Sequence, residues 1–295
     1  MPRPFRFGVS LTSPAPAGDW HAKCRRAEEL GYDVIHVPDH LGMVAPFPAL
    51  VAAAAVTERP RLGTFVLNTG FWNPALLARE VATTDALTGG RLELGLGAGY
   101  VQAEHDAAGL PFGSPRERVD HLRRTIEELD RLLGSDDHQP RPAQKPRVPL
   151  MIGGNGDRMM QLTAEHADIA AFTGARPVPG STTGRLVPVT PRDLEESVAR
   201  YRRLAEGREE EAELNLLLQM VAVTEDRAAA VGPLAERVGS TVEQALDLPI
   251  LLIGTVEQIV AQVLAQRERY GFTYLTVLEP YMEAFAPVVA ELGGR

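Results

Sequence analysis

Strand-like runs recur eight times along this chain, alternating with helix-like stretches. The runs cover residues 5–11, 34–37, 61–67, 91–96, 148–152, 168–172, 214–223 and 272–278. Short apolar runs bounded by glycine, proline or asparagine read as strands, whereas apolar residues stepping by three and four read as helices. The helical pattern is plainest after Ser114, where Val119, Leu122, Ile126, Leu129 and Leu133 fall on one face. Strand–helix alternation implies a parallel sheet, and a count of eight favours a closed (β/α)8 TIM barrel over an open doubly wound sheet. The 295 residues suit one such barrel. With no mid-chain linker or short repeat, residues 1–295 are expected to form a single domain with loop insertions at the C-terminal face.

Local signals set the joints. Asp19 is expected to cap a helix running to Leu30 and closed by Gly31. Asn73-Pro74 opens another helix, with proline at its first position. Residues 134–147 form a polar, proline-rich connection, and 241–269 are expected to hold one or two helical pieces around Pro249 and Gly254. The glycine- and proline-rich stretch 173–190 is the longest insertion, of the kind that serves as a lid.

Composition narrows the function. A formal charge of −9 argues against a nucleic-acid partner, which needs a basic face. No run approaches the roughly 18 apolar residues of a membrane span, and the start of the chain is too short and mixed for a signal-peptide core. The single cysteine, Cys24, allows no intrachain disulfide, which fits a reducing cytoplasm. A cytoplasmic protein acting on a small molecule is therefore expected, with no membrane partner and no metal centre.

In a barrel of this kind the site lies at the C-terminal ends of the strands. That rule selects Asp39 and His40, Asn68 and Thr69, Gly97, Ala98, Gly99 and Tyr100, residues 153–158, and the 173–190 loop. His40 is the only one of seven histidines at a clear strand exit. Histidine suits proton transfer near neutral pH, whereas the plainer alternative makes Asp39-His40 a capped turn with Asp39 bonded to backbone N–H groups. Gly153, Gly154, Asn155, Gly156, Asp157 and Arg158 read as an anion site: free N–H groups and a helix start hold a phosphate, with Arg158 as counter-charge. The alternative there is an ordinary turn capped by Asp157. Glu104 and His105 are adjacent and so point apart on a helix. Arg116 and Arg118 read as solvated charges at the start of the long helix.

Assembled in order, these segments resemble the bacterial luciferase-like family of flavin and deazaflavin oxidoreductases. The resemblance rests on VPDH (37–40), GTFVLNTGFWNPALLARE (63–80), LTGGRLELGLGAGY (87–100) with Glu104 following, and RERVDHL (116–122). VPLMIGGNGDRMMQLTAEHAD (148–168) and LIGTVEQIVAQVLAQRERYGFTYLTV (252–277) extend it over nearly the whole length. The pattern looks most like the actinobacterial group that uses coenzyme F420, a 5-deazaflavin. That resemblance implies a non-proline cis peptide at Phe65–Val66 backing the ring, His40 near its reactive edge beside Asp39, residues 97–99 along it, and residues 153–158 at its phosphate. It implies hydride transfer to or from an activated C=C, C=N or C=O bond, with His40 as proton donor and Tyr100 or Glu104 as second candidate. Tyr100 stands where F420-dependent sugar-phosphate dehydrogenases of the family carry a glutamate, which argues against glucose 6-phosphate as substrate. The alternatives are a reduced-FMN monooxygenase and, in another class, a non-catalytic flavin-binding protein. The family habit of dimerising, with the alanine-rich helices 47–57 and 74–87, points to a homodimer.

Overall fold

The computed structural model describes residues 3–295, and its main sheet closes on itself. In chain order the strands are β1 (Arg6–Ser10), β2 (Val34–Val37), β3 (Arg61–Thr64), β4 (Leu67–Asn68), β5 (Leu92–Gly97), β6 (Leu150–Gly153) and β7 (Ile169–Phe172). They continue as β8 (Ala175–Pro177), β9 (Leu186–Pro188), β10 (Glu213–Leu218), β11 (Met220–Val223), β12 (Leu251–Gly254) and β13 (Tyr274–Leu278). Strands β1, β2, β3, β5, β6, β7, β10 and β13 make the wall, every pairing parallel, and β13 returns to β1. This is the expected eight-stranded (β/α)8 barrel. The helices bury their apolar faces against it; helix Pro115–Leu133, for example, buries Leu122, Ile126, Leu129 and Leu133. Among the described residues, no helix is long and apolar enough to cross a membrane.

Five details differ from the expectations. The first helix is Ala17–Glu29, entered from Pro16 with no side-chain cap, so Asp19 lies inside its first turn and acts on the helix dipole instead. The run 61–67 is interrupted, β3 stopping at Thr64 and β4 resuming at Leu67, while the Phe65–Val66 peptide bond between them is cis as the resemblance implies. The run 214–223 breaks after Leu218, and β11 leaves the wall to pair with β12. That β12 is a strand corrects the helical reading around Pro249 and Gly254, because four buried apolar residues between proline and glycine have no period that separates strand from helix. The 173–190 insertion, finally, carries a two-stranded antiparallel hairpin of β8 and β9.

The barrel has an ionic floor. Arg6 reaches Glu93 and Glu213, both at 2.5 Å, and Arg61 donates to Glu93 at 2.7 Å. All four residues stand at or near the amino ends of their strands, so the charges compensate one another inside the wall. Above them Tyr274 Oη bonds to His36 Nε2 at 2.6 Å. The His36 ring is fully buried, between strands that carry glycine at the facing positions. A Cβ on Gly8 would come within 2.9 Å of His36 Cδ2, and one on Gly63 within 2.7 Å of Nδ1. Gly8 and Gly63 therefore make the space the imidazole fills.

Burial, the largest effect, pushes the His36 pKa down from 6.5 to about 4. Unfolding takes up a proton at His36 between these two values, so stability is full above pH 6.5 and falls as pH drops toward 4. Urea unfolding of the protein and of a His36→Gln variant, compared at neutral pH and near pH 4, measures this. The difference in unfolding free energy should shrink by about 3 kcal/mol on acidification. A difference independent of pH would show that His36 does not couple to folding.

Candidate functional site

The C-terminal mouth of the barrel is shaped first by strand three. A Cβ on Gly95 would lie 2.0 Å from the Thr64 carbonyl oxygen, and one on Gly97 2.7 Å from Val66 Cγ2. Val66 Cγ1 also stands 3.5 Å from where a Gly153 Cβ would be. The glycines of β5 thus admit the interrupted strand, which sends Val66 across toward the end of β6. Gly99, at φ +71°, faces the Asn68 side chain, where a Cβ would approach Oδ1 to 2.2 Å. The glycine run read as backbone beside a ligand is accordingly occupied, on this side, by the chain's own Thr64, Val66 and Asn68.

Asn68 is a hub. Its Oδ1 accepts from the Gly70 N–H at 3.0 Å, its Nδ2 meets His105 Nε2 at 3.0 Å, and its own N–H donates to Asp39 Oδ2 at 3.1 Å. Trp72 Nε1 adds a second donor to Asp39 at 3.2 Å. Asp39 thus bonds across the barrel mouth, to one distant backbone N–H and one indole, and not to the N–H groups of its own turn as the plainer reading has it. Desolvation raises its pKa, with the Trp72 and Asn68 hydrogen bonds opposing. His105 is buried, and its Nδ1 meets the Pro111 carbonyl at 3.0 Å; since a carbonyl only accepts, Nδ1 carries the proton and Nε2 accepts from Asn68. That assignment leaves His105 no free nitrogen.

His40 is held differently. Its Nδ1 meets Glu104 Oε1 at 2.8 Å, and Nε2 has no partner among the described residues. The pair joins the exit of β2 to the helix Gln102–Ala108, 64 residues further along. A carboxylate oxygen that accepts from Nδ1–H fixes the ring plane and leaves Nε2 open. Tyr100 stands edge-on to His40, ring centroids 6.0 Å apart, and burial raises its phenol pKa, with the nearby Glu104 charge adding to the rise. Of the three side chains expected to do proton chemistry, His40, Glu104 and Tyr100 are thus brought together, with Glu104 as the partner of His40.

The insertion closes one side of this group. The Thr182 carbonyl accepts from the Ala103 N–H at 3.1 Å, at a helix start that has no side-chain cap of its own. Gly184, at φ +70°, rests on the Tyr100 ring and Val101.

Residues 153–158 form an exposed loop leading into helix Asp157–His166. That helix has no side-chain cap, so Asp157 does not cap it, and its first N–H groups are open to a ligand. A Cβ on Gly156 would meet nothing within 4 Å, so the loop has room as well as donors. Arg158, expected as counter-charge, is paired with Asp120, and Asp157 with Arg200. Asn155 Nδ2 ties the loop to the Ala175 carbonyl at 2.8 Å. Arg118, read as a solvated charge, instead donates to the Gly99 carbonyl at 3.1 Å and stacks on Phe112 at 4.0 Å. Side chains lean toward the helix amino terminus, and an arginine in the first turn after a glycine loop carries that signal.

The family model described as luciferase-like monooxygenase matches residues 3–274. Over 118 residues the chain is 39% identical to an F420-dependent glucose-6-phosphate dehydrogenase of Intrasporangium calvum, covering 36% of this chain and 35% of that protein. Over 203 residues it is 29% identical to a 4-hydroxyprotoasukamycin monooxygenase of Streptomyces nodosus subsp. asukaensis, covering 61% and 52%. The chain spans about half or less of the length of the curated relatives it matches. A solved F420-dependent secondary alcohol dehydrogenase, in complex with an F420–acetone adduct, superposes with a TM-score of 0.76 at 16% identity, covering 98% of both chains. At that identity the likeness is one of fold.

Gly184→Val would drive a side chain into Val101 and Tyr100, where even a Cβ comes within 2.6 Å and 2.8 Å. Limited proteolysis within 173–190 should become about tenfold faster in this variant, with global unfolding little changed. An unaltered cleavage rate would mean that the insertion is not held through this contact.

Proposed function

Since the chain belongs to the luciferase-like monooxygenase family, we propose that it is an F420-dependent oxidoreductase acting on an activated C=C, C=N or C=O bond of a small organic molecule. The observation that carries this reading is the His40–Glu104 pair, a proton donor oriented at the mouth beside residues 97–99. The bound deazaflavin would supply or accept the hydride. What the chain itself must do is place the substrate, exclude water and supply a proton, and it has a group for each task.

With Nδ1–H held by Glu104, His40 donates from Nε2 in its doubly protonated form and is left as the Nδ1–H tautomer, while Glu104 orients the ring. Tyr100 packs against His40 and carries the insertion, so it helps to shape the substrate side. The insertion, docked on Ala103 and Tyr100, keeps bulk water from that side. Asp39, Phe65, Val66, Gly97, Ala98 and Gly99 would border the tricyclic ring. Gly153, Gly154, Asn155 and Gly156 would hold the phosphate through backbone N–H groups, at a loop with open space and an uncapped helix. Arg158 already has a carboxylate, so its part in binding is through the Asp120 pair that steadies this helix start.

The matched proteins include both an F420-dependent dehydrogenase and a monooxygenase. Tyr100, in place of a glutamate after Gly-x-Gly, speaks against sugar-phosphate oxidation. The second reading is a reduced-FMN monooxygenase, favoured by the closed insertion, which would keep bulk water from flavin chemistry with oxygen equally well. Side-by-side fluorescence titration with F420 and FMN separates the two. Tighter binding of F420 supports the proposal, and tighter FMN binding transfers it to oxygen chemistry. Absence of both leaves only a scaffold. The proposal includes a homodimer through helices Pro46–Ala54 and Pro74–Leu87, where Leu76 and Leu87 are exposed. Sedimentation of a monomer at micromolar concentration would remove that part.

His40→Ala should lower kcat about 100-fold or more while changing cofactor affinity less than about threefold. Because the pair acts as one unit, adding Glu104→Ala to His40→Ala should cost almost nothing further, although Glu104→Ala alone is costly. Additive losses in this cycle would show that Glu104 does not work through His40.

A further inference from the structure

A cleft of about 690 Å³ opens directly beside Gly154 and Gly156 and runs along helix Pro191–Leu204. Phe172, Val189 and Leu194 lie along its base, and Arg176, Arg200 and Arg203 stand around it. The charges are not equally available. Arg200 is paired with Asp157. Of the cleft's carboxylates, Glu196 is held by Arg192 at 2.9 Å, and Asp193 accepts from the Thr190 N–H of its capping box at 3.3 Å. Arg176, on β8, and Arg203, in the last turn of the helix, have no carboxylate partner among the described residues. The cleft therefore offers an apolar base and two uncommitted guanidinium groups to whatever extends past the phosphate loop.

FMN ends at its phosphate. F420 continues through a lactyl group into a chain of γ-linked glutamates, each adding methylenes and a carboxylate. From the cleft we infer that this chain has a subsite of its own here, with Arg176 and Arg203 pairing its carboxylates and the apolar base under its methylenes. The inference rests on the F420 reading and deepens it, because it gives the protein a physical means of telling the two cofactors apart. It also assigns a second task to the insertion. Arg176 belongs to the hairpin whose far end docks on Tyr100, so one segment touches both the tail cleft and the substrate side.

Fluorescence titration of the full-length protein with three ligands tests this: the deazaflavin riboside without phosphate or tail, F420 carrying one glutamate, and F420 carrying several. Wild-type affinity should rise with tail length, and the rise should fade with added salt. Arg176→Ala/Arg203→Ala should weaken binding of the long-tailed form about fivefold and leave the riboside unaffected. Both arginines are solvent-facing, so the variant keeps the fold, and the wild-type tail-length series stands without any variant. Affinity independent of tail length, or an equal loss for riboside and long-tailed F420, would overturn the subsite while leaving the F420 reading in place. Failure of the wild type to bind any deazaflavin would overturn both.

Discussion

The mouth of this barrel depends on a single close approach, the Thr64 carbonyl and the Val66 side chain against β5. Neither fits if Gly95 or Gly97 carries a Cβ, since the contacts would fall to 2.0 and 2.7 Å. Where the two strands give way to each other, β3 is interrupted and β4 resumes one step over, delivering Asn68 beside Asp39, Gly99 and His105. Asn68 then satisfies the Gly70 N–H and His105 Nε2, each costly to leave unpaired at the edge of the barrel, and shares Asp39 with Trp72. The polar framework of the site follows from glycines that seem at first to be there for a ligand.

Charge is divided along the barrel axis. At the amino ends, Arg6 and Arg61 face Glu93 and Glu213 in a compensated cluster, closed by Tyr274 and the neutral His36. A buried network of this kind holds its members in one arrangement more than it adds net stability. Tyr274 also joins a buried cluster of Val34, Met151, Ile169 and Ala171, with Phe65 and Val66 packed against it. At the carboxyl ends, among the described residues, His40 keeps a nitrogen without a partner and His105 does not. Two histidines of the same mouth thus take different parts because their partners differ: a carboxylate on one side chain for His40, an amide and a carbonyl for His105.

The insertion after β7 ties these regions together. Its tip supplies a carbonyl to an uncapped helix and a glycine contact to Tyr100, and its base, through Arg176, lines the cleft next to the 153–158 loop. A segment with so few anchors is well suited to open and close, since each contact is individually small and all lie near the surface.

Much of this was legible in the residues themselves. Strand–helix alternation gave the barrel, and strand-end positions gave Asp39, His40, residues 97–100 and 153–158. Strand β12 was not legible, because four apolar residues carry no period. The pairing of Glu104 with His40, of Arg158 with Asp120, of Arg118 with the Gly99 carbonyl, and the cleft around Arg176 and Arg203 were not legible either. Each joins groups far apart in sequence, whose meeting depends on barrel closure and on where each side chain leans. The sequence by itself determined which residues stand at the carboxyl end of the barrel, since periodicity and turn chemistry are local. Only the tertiary structure decided which of them are free to act, because a hydrogen-bond partner is a fact of space and not of order along the chain.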